Sequence, residues 1–239
     1  MLIIAIDGPA GSGKSSTAKA LAKRLKLPYI DTGAMYRVVT LKAMQDGIPF
    51  TDKKRLMKIA RKSRIEFQTA YRTASRGERD AVRQLVYLDG QDVTEAIRTP
   101  ELTKNVFHIA QEPLIRREMV KKQRVMGLRQ GGVMEGRDIG TVVFPDAPFK
   151  FYFDARPELR ALRRYRELRA AGEQVTQAKV LRDILKRDRT DLTRKNSPLK
   201  PAKDAVVLDT SSLTIDQTVD RIIAHIGAKP LRDRRLGTE

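Results

Sequence analysis

The sequence predicts an α/β protein with a central five-stranded parallel sheet covered by helices on both faces. Three observations predict it. Five short apolar runs recur along the chain, each giving way to a carboxylate or a glycine. They are unbroken rather than alternating, as strands buried on both faces require. Between them lie stretches whose apolar residues fall at helical spacing.

The first run, Leu2 to Ile6, stops at Gly8-Pro9, and Ala18, Leu21, Ala22 and Leu25 then mark one face of a helix. Leu27 to Ile30 is the second strand, followed by a helix through Met35, Val38 and Val39. From Ser63 to about Val106 the rhythm breaks. There Ile65-Glu66-Phe67-Gln68 and Gln84 to Leu88 read as strands joined by a polar, Arg-rich loop, and Asp89-Gly90 is a turn signal, so this stretch is expected to be a small inserted subdomain. Gly132-Val133-Met134 and Phe149 to Phe153 resume the sheet. Arg156 to Arg189 reads as two charged helices broken at Ala171-Gly172. Ala205 to Leu208 is the last strand, and Ile215, Val219, Ile222, Ile223 and Ile226 line a closing helix. The expected division is a core of 1–62, 107–155 and 196–227, an insert at 63–106, a helical segment at 156–195 and a polar tail at 228–239. Ligands of such sheets bind at the carboxyl ends of the strands.

Composition narrows the chemistry. Of 239 residues 41% are hydrophobic and 32% charged, enough for one packed core. There is no Cys, and His108 and His225 are the only histidines, which excludes disulfides, thiolate sites and a histidine metal cluster. The opening apolar run is too short for a signal peptide or a membrane span, and a cytoplasmic setting without membrane is expected. The net charge is +19. That suggests an anionic partner, yet the absence of Trp and the low aromatic content (5%) speak against a stacking platform for nucleic acid. The excess sits in patterned segments, with 11 Lys/Arg against 3 Asp/Glu between Lys53 and Arg83.

The strongest motif is Gly8-Pro9-Ala10-Gly11-Ser12-Gly13-Lys14-Ser15, which matches G-x-x-x-x-G-K-[ST] between a strand and a helix. Backbone N–H groups of such a loop wrap phosphates, and the following helix adds positive potential. With the adjoining Ser16 it forms the expected ATP cradle, Lys14 reaching the β- and γ-phosphates and Ser15 holding Mg²⁺. No N-K-x-D base-reading motif suggests a GTPase. Asp154 and Asp209 are single acids after apolar strands, where a motor ATPase wants a pair. A small kinase remains. Asp7 and Asp31, which end strands beside the loop, are expected either to support Mg²⁺ through water or to cap turns.

Four segments in order then carry a resemblance: Ile6-Asp7-Gly8-Pro9 with the P-loop, Asp31 to Arg37, Glu135 to Ala147 (EGRDIGTVVFPDA) and Arg187 to Arg194 (RDRTDLTR). Together they resemble bacterial cytidylate kinases, from Met1 to about Gly227. The resemblance implies a P-loop kinase in which 63–106 binds the nucleoside monophosphate and 156–195 is a lid. It implies transfer of the γ-phosphoryl group of ATP to CMP or dCMP with Mg²⁺. Arg37, Arg137 and Arg194 then match the clamp on the acceptor phosphate, Arg116 and Asp138 the cytosine contacts, Arg187 and Asp191 the sugar contacts, and Thr32 a substrate-binding hydroxyl. Lys14, Arg163 and Arg187 would stabilise the phosphoryl group in flight, the two arginines as mobile lid cations. One position departs from the family: Phe107 stands where a serine usually holds the pyrimidine, leaving Asn105 or His108 as substitutes or a less polar pocket. A monomer without a specific nucleic-acid partner is expected. The alternatives are a related kinase for UMP or AMP, and an ATP-switched nucleic-acid-binding protein.

Overall fold

The computed structural model describes residues 1–72 and 81–228. In chain order the elements are β1 (Ile3–Asp7), α1 (Lys14–Leu25), β2 (Tyr29–Asp31), α2 (Thr32–Gln45), α3 (Lys53–Lys62), β3 (Ile65–Arg72), β4 (Ala81–Leu88) and β5 (Gln91–Asp92). They continue with α4 (Pro100–Ala110), α5 (Pro113–Gln130), β6 (Gly132–Gly136), β7 (Phe149–Asp154), α6 (Pro157–Ala170), α7 (Gln177–Thr193), β8 (Val206–Asp209) and α8 (Ile215–Ala228). Short turns of 3-10 and π helix occupy Ala96–Arg98 and Ile139–Val143.

All five expected core strands form, in the order β2-β6-β1-β7-β8, and every pairing is parallel. Their side chains alternate between two packed layers. Ile4 and Ile6 of β1 join Phe149, Phe151 and Phe153 of β7 under Ala18, Leu21 and Ala22 of α1 and Val219, Ile222 and Ile226 of α8. On the other face Ile3, Ala5, Ile30 and Met134 meet Ile139, Val143 and Phe144. Each such side chain contributes roughly 1.5–3 kcal/mol on burial, which is why continuous apolar runs rather than alternating ones build this sheet.

The central stretch forms an antiparallel sheet in the order β3-β4-β5. Ile65 faces Leu88, and the turn to β5 is made by Asp89 (φ 52°) and Gly90 (φ 90°), two positive φ values that match a tight hairpin. The Arg-rich loop expected between β3 and β4, and the tail from 229 onward, lie outside the described residues. Val86 and Leu88 pack in one cluster with Met35, Val38 and Val39 of α2, Leu56 of α3 and Met119 of α5.

Helix α3 was hidden behind its charge. Leu56, Ile59 and Ala60 at i, i+3 and i+4 are buried, while Lys53, Lys54, Lys58, Arg61 and Lys62 are exposed. The Asp52 carboxylate caps it by accepting from Arg55 N (2.9 Å). Much of the excess charge between Lys53 and Arg83 is therefore the solvated side of an amphipathic helix.

Candidate active site

The P-loop runs from the end of β1 into α1 and is clamped between strands. Gly8 (φ 147°) lies so close to β7 that a Cβ would stand 2.3 Å from Phe153 O, so only glycine fits there. Ser12 Oγ donates to Pro9 O (3.0 Å), and Thr210 Oγ, just past β8, donates to Ser12 O (2.9 Å). These bonds hold the loop open. Gly13 caps α1, whose first turn begins at Lys14, while Ser15 and Ser16 remain open to solvent. The buried Lys14 ammonium donates to Pro9 O (2.7 Å). Burial, then repulsion from Arg137, push it down to about 7, partly opposed by Glu135.

Glu135 is the acid that the sequence did not single out. Parallel pairing of β6 with β1 sets Glu135 beside Ile6 and Gly136 beside Asp7, delivering its carboxylate to the P-loop from 120 residues away. Ser15 Oγ donates to Glu135 Oε2 (2.8 Å), the buried Tyr29 hydroxyl donates to Oε1, and Thr32 Oγ donates to the Glu135 carbonyl (2.7 Å). Burial and the Asp31 charge raise its pKa, with Lys14 opposing. A hard divalent cation suits such oxygen donors. Among the described residues no group of three or more His, Cys, Asp and Glu forms a ready-made metal site, so a cation here would rest on Ser15, Glu135 and its nucleotide.

Of the two roles expected for Asp7, Mg²⁺ support or capping a turn, it takes the second. Its two oxygens accept from Ile139 N and Gly140 N (2.8 Å each), capping the turn after β6. Burial raises it to about 6 despite those bonds. Asp154 and Asp209 likewise cap loops, accepting from Ala155 N and Ser211 N.

The arginines converge on the same cleft. Arg37 of α2 donates to Ile97 O (3.1 Å) and Thr103 Oγ (2.8 Å). Arg137, just past β6, donates through Nε to Asp191 of α7 (2.9 Å), and Arg194 Nη1 lies 3.5 Å from the other Asp191 oxygen. Burial alone would raise Asp191, but Arg137 and Arg187 bring it below the ordinary carboxylate value. Arg187 has its side chain open to solvent and no hydrogen bond or ion pair among the described residues. Surrounding protein, then the charges of Arg137 and Arg37, lower its pKa. Exposure makes the like-charge repulsion the telling part. The cleft gathers Arg137 and Arg194 around Asp191, with the exposed Arg187 beside them, which fits it to bind phosphates.

Arg116 and Asp138 form a buried pair (Nη2 to Oδ2, 2.5 Å), with Arg116 Nη1 on Ala110 O (2.8 Å) and its guanidinium over the Tyr36 ring (5.3 Å). Neither proposed substitute for the missing serine is bonded to this pair: Asn105 Nδ2 donates to Glu101 O, and His108 stacks on Phe50. Phe107 is 47% exposed, its ring against His108. Arg163, expected as a mobile lid cation, lies beside Gly13 of the P-loop. Its Nη2 donates to Thr210 O (2.6 Å) and Ser211 O (3.4 Å), which pins the base of α6 beside the P-loop. The sequence also passed over Arg160, Asp188 and Thr210; nothing in so Arg-rich a segment marks which residues turn inward.

The fold and the site define a P-loop nucleotide kinase, a cradle for a polyphosphate facing a second, arginine-lined anion site. The comparisons place it further. A family model described as cytidylate kinase matches residues 4–228. The "Cytidylate kinase" of Caldanaerobacter subterraneus subsp. tengcongensis is 48% identical over 223 residues, 93% of each chain. Those of Pelotomaculum thermopropionicum (46%, covering 94% of this chain and 96% of that one) and Clostridioides difficile (42%, 94% and 98%) are similar. The chain belongs to the cytidylate kinase family, phosphotransferases that use ATP. A crystal structure of an uncharacterized protein from Eubacterium ventriosum shares the fold, with a TM-score of 0.52 at 14% identity, covering 96% of this chain and all of that one. No helix among the described residues is long and apolar enough to cross a membrane.

Proposed function

We propose that this chain transfers the γ-phosphoryl group of ATP to CMP or dCMP, yielding ADP and CDP or dCDP, as a cytoplasmic monomer. The observation that carries the reading is the meeting of Arg137, Arg194 and the exposed Arg187 in one cleft beside a P-loop whose Lys14 is buried there. Two polyanions brought together suit these cations, and each charge-assisted contact contributes roughly 1.5–3 kcal/mol.

Residues 8–16 cradle the ATP phosphates with backbone N–H groups and the N-terminus of α1. Lys14 neutralises the β- and γ-phosphates, its pKa rising as the anion arrives. Ser15, with Glu135 beside it, would hold Mg²⁺, which would supply further neutralisation. Arg37, Arg137 and Arg194 hold the acceptor phosphate, so that one of its oxygens attacks the γ-phosphorus in line as the bond to ADP breaks. Arg187, exposed and unpaired among the described residues, meets the charge on the phosphoryl group in flight, with Arg163 fixing the adjacent backbone. Arg116 and Asp138 read the base and Asp191 the sugar; Thr32 holds the strand end on which Glu135 sits. In this reading 63–106 is the acceptor-binding unit and 156–195 the lid.

The test is Lys14→Ala assayed for CMP-dependent ADP production. A loss of at least about 100-fold is expected; turnover within threefold of the parent would sink the reading. A panel of CMP, dCMP, UMP and AMP as acceptors identifies the base preferred with Phe107 at the pocket edge.

A further inference from the structure

Arg160 lies in α6, outside every segment that marked the site, and its guanidinium donates from all three nitrogens. Nε bonds Ala155 O (2.8 Å), Nη1 bonds Ala10 O (3.1 Å) and Nη2 bonds Asp188 Oδ2 (2.6 Å). The acceptors belong to the segment after β7, to the P-loop and to α7. The side chains of both Arg160 and Asp188 are buried. Contact with the P-loop is closer still, since a Cβ on Gly11 would stand 2.9 Å from Arg160 O.

Each bond has a geometric consequence. A trans peptide carries its C=O and N–H on opposite sides. Holding Ala10 O against α6 therefore turns the Gly11 N–H away from α6, fixing one donor of the cradle. On α7, Asp188 directly follows Arg187, which is open to the cleft, and precedes by three residues Asp191, which holds Arg137. Gripping Asp188 fixes the rotation of α7, and with it the aim of both neighbours. The grip also has a local cost: Asp188 Oδ1 is buried without a hydrogen-bond partner. Buried ion pairs are often replaced by apolar residues without loss of stability, so an imperfectly satisfied one at a junction of three elements points beyond stability.

We propose that Arg160 and Asp188 are positioning residues that tie the ATP-binding loop to α7, so that the donor cradle, Arg187 and Asp191 hold one alignment for phosphoryl transfer. Neither touches substrate. The proposal rests on the phosphotransfer reading above and adds to it the link between its two halves.

Two variants test it in the full-length chain. Arg160→Lys keeps the buried charge compensated but lacks the three-way fork. Arg160→Met with Asp188→Leu removes both charges and fills the space. For each, the thermal midpoint, kcat, and KM for CMP and for ATP are measured. The expected result is a midpoint within about 5 °C of the parent in at least one variant, with kcat in that variant at least about 30-fold lower. KM for CMP rises less than kcat falls, because Arg37 and Arg116 hold CMP from other elements and only Asp191, with the Arg137 it orients, depends on the pair. A purely structural pair would let kcat recover with the midpoint. Either variant turning over within threefold of the parent overturns the proposal, as does loss of midpoint in both without a fall in kcat per folded molecule. A parent chain lacking CMP-dependent turnover fails on the phosphotransfer reading itself and takes the proposal with it.

Discussion

Replacing Tyr29 by Phe removes one oxygen atom and tests whether Glu135 is held as described. The Tyr29 ring is 2% exposed and packed in the layer with Phe149 and Val133, and Phe preserves that packing, so no cavity forms. What is lost is the hydroxyl donated to a buried carboxylate, leaving Ser15 as its remaining side-chain donor. A hydrogen bond to a charged group contributes about 1.5–3 kcal/mol, so a destabilisation of about 2 kcal/mol is expected. For a chain of this size that lowers the thermal midpoint by roughly 4–8 °C. The sign with pH follows from Glu135. Its folded pKa already lies above the ordinary value because of burial, and losing a donor raises it further. The difference between parent and Tyr29→Phe is therefore full near pH 8 and shrinks toward about 1 kcal/mol as the pH falls through the raised pKa of Glu135 and the carboxyl protonates. Urea unfolding of both proteins across that range is the assay. A loss below about 0.5 kcal/mol at pH 8, or one independent of pH, would refute the reasoning.

Three further outcomes are expected. Asp7 is raised from 3.8 to about 6, so the folded state binds an extra proton between those values and loses stability as pH rises through that window. Relative to Asp7→Asn, the parent should lose about 3 kcal/mol between pH 3.5 and 7, measured by paired unfolding curves. Gly8→Ala places a Cβ 2.3 Å from Phe153 O at φ 147°; it should cost about 3 kcal/mol or more by parting β1 from β7, visible in the thermal midpoint. Arg137→Lys surrenders the Nε contact with Asp191 and, in the proposed function, a forked contact with the acceptor phosphate. Its kcat/KM for CMP should fall about 10- to 100-fold in steady-state kinetics, with the fold retained by circular dichroism.

Much of this molecule was legible in its sequence because parallel strands are written as short apolar runs and a phosphate loop as a fixed glycine spacing. The five core strands and the site arginines were found on those grounds or through the family resemblance. Glu135 was not, since no local pattern says that residue 135 faces residue 15; that follows only from the order of strands, which places β6 against β1. Arg160 was missed for another reason. One arginine among many becomes special only when packing turns it inward, and the acceptors it meets, two backbone carbonyls and one carboxylate, come from residues 10, 155 and 188. For Asp7 the sequence left two roles open, metal support or capping a turn, and could not choose, because the two backbone N–H groups that claim it belong to a turn more than 130 residues away.

The crowding of Lys14, Arg137 and Arg187 has a consequence for how the chain survives as well as how it works. Burial, with like charges nearby, holds Lys14 and Arg187 below their ordinary pKa, a cost of the empty cleft that bound anions offset. Anions that fill the cleft act as folding ligands: they stabilise the native state by RT ln(1 + [L]/Kd), most at concentrations well above Kd. The resistance of this chain to heat and proteolysis should therefore track the supply of its nucleotides, making its lifetime a readout of the pool it consumes.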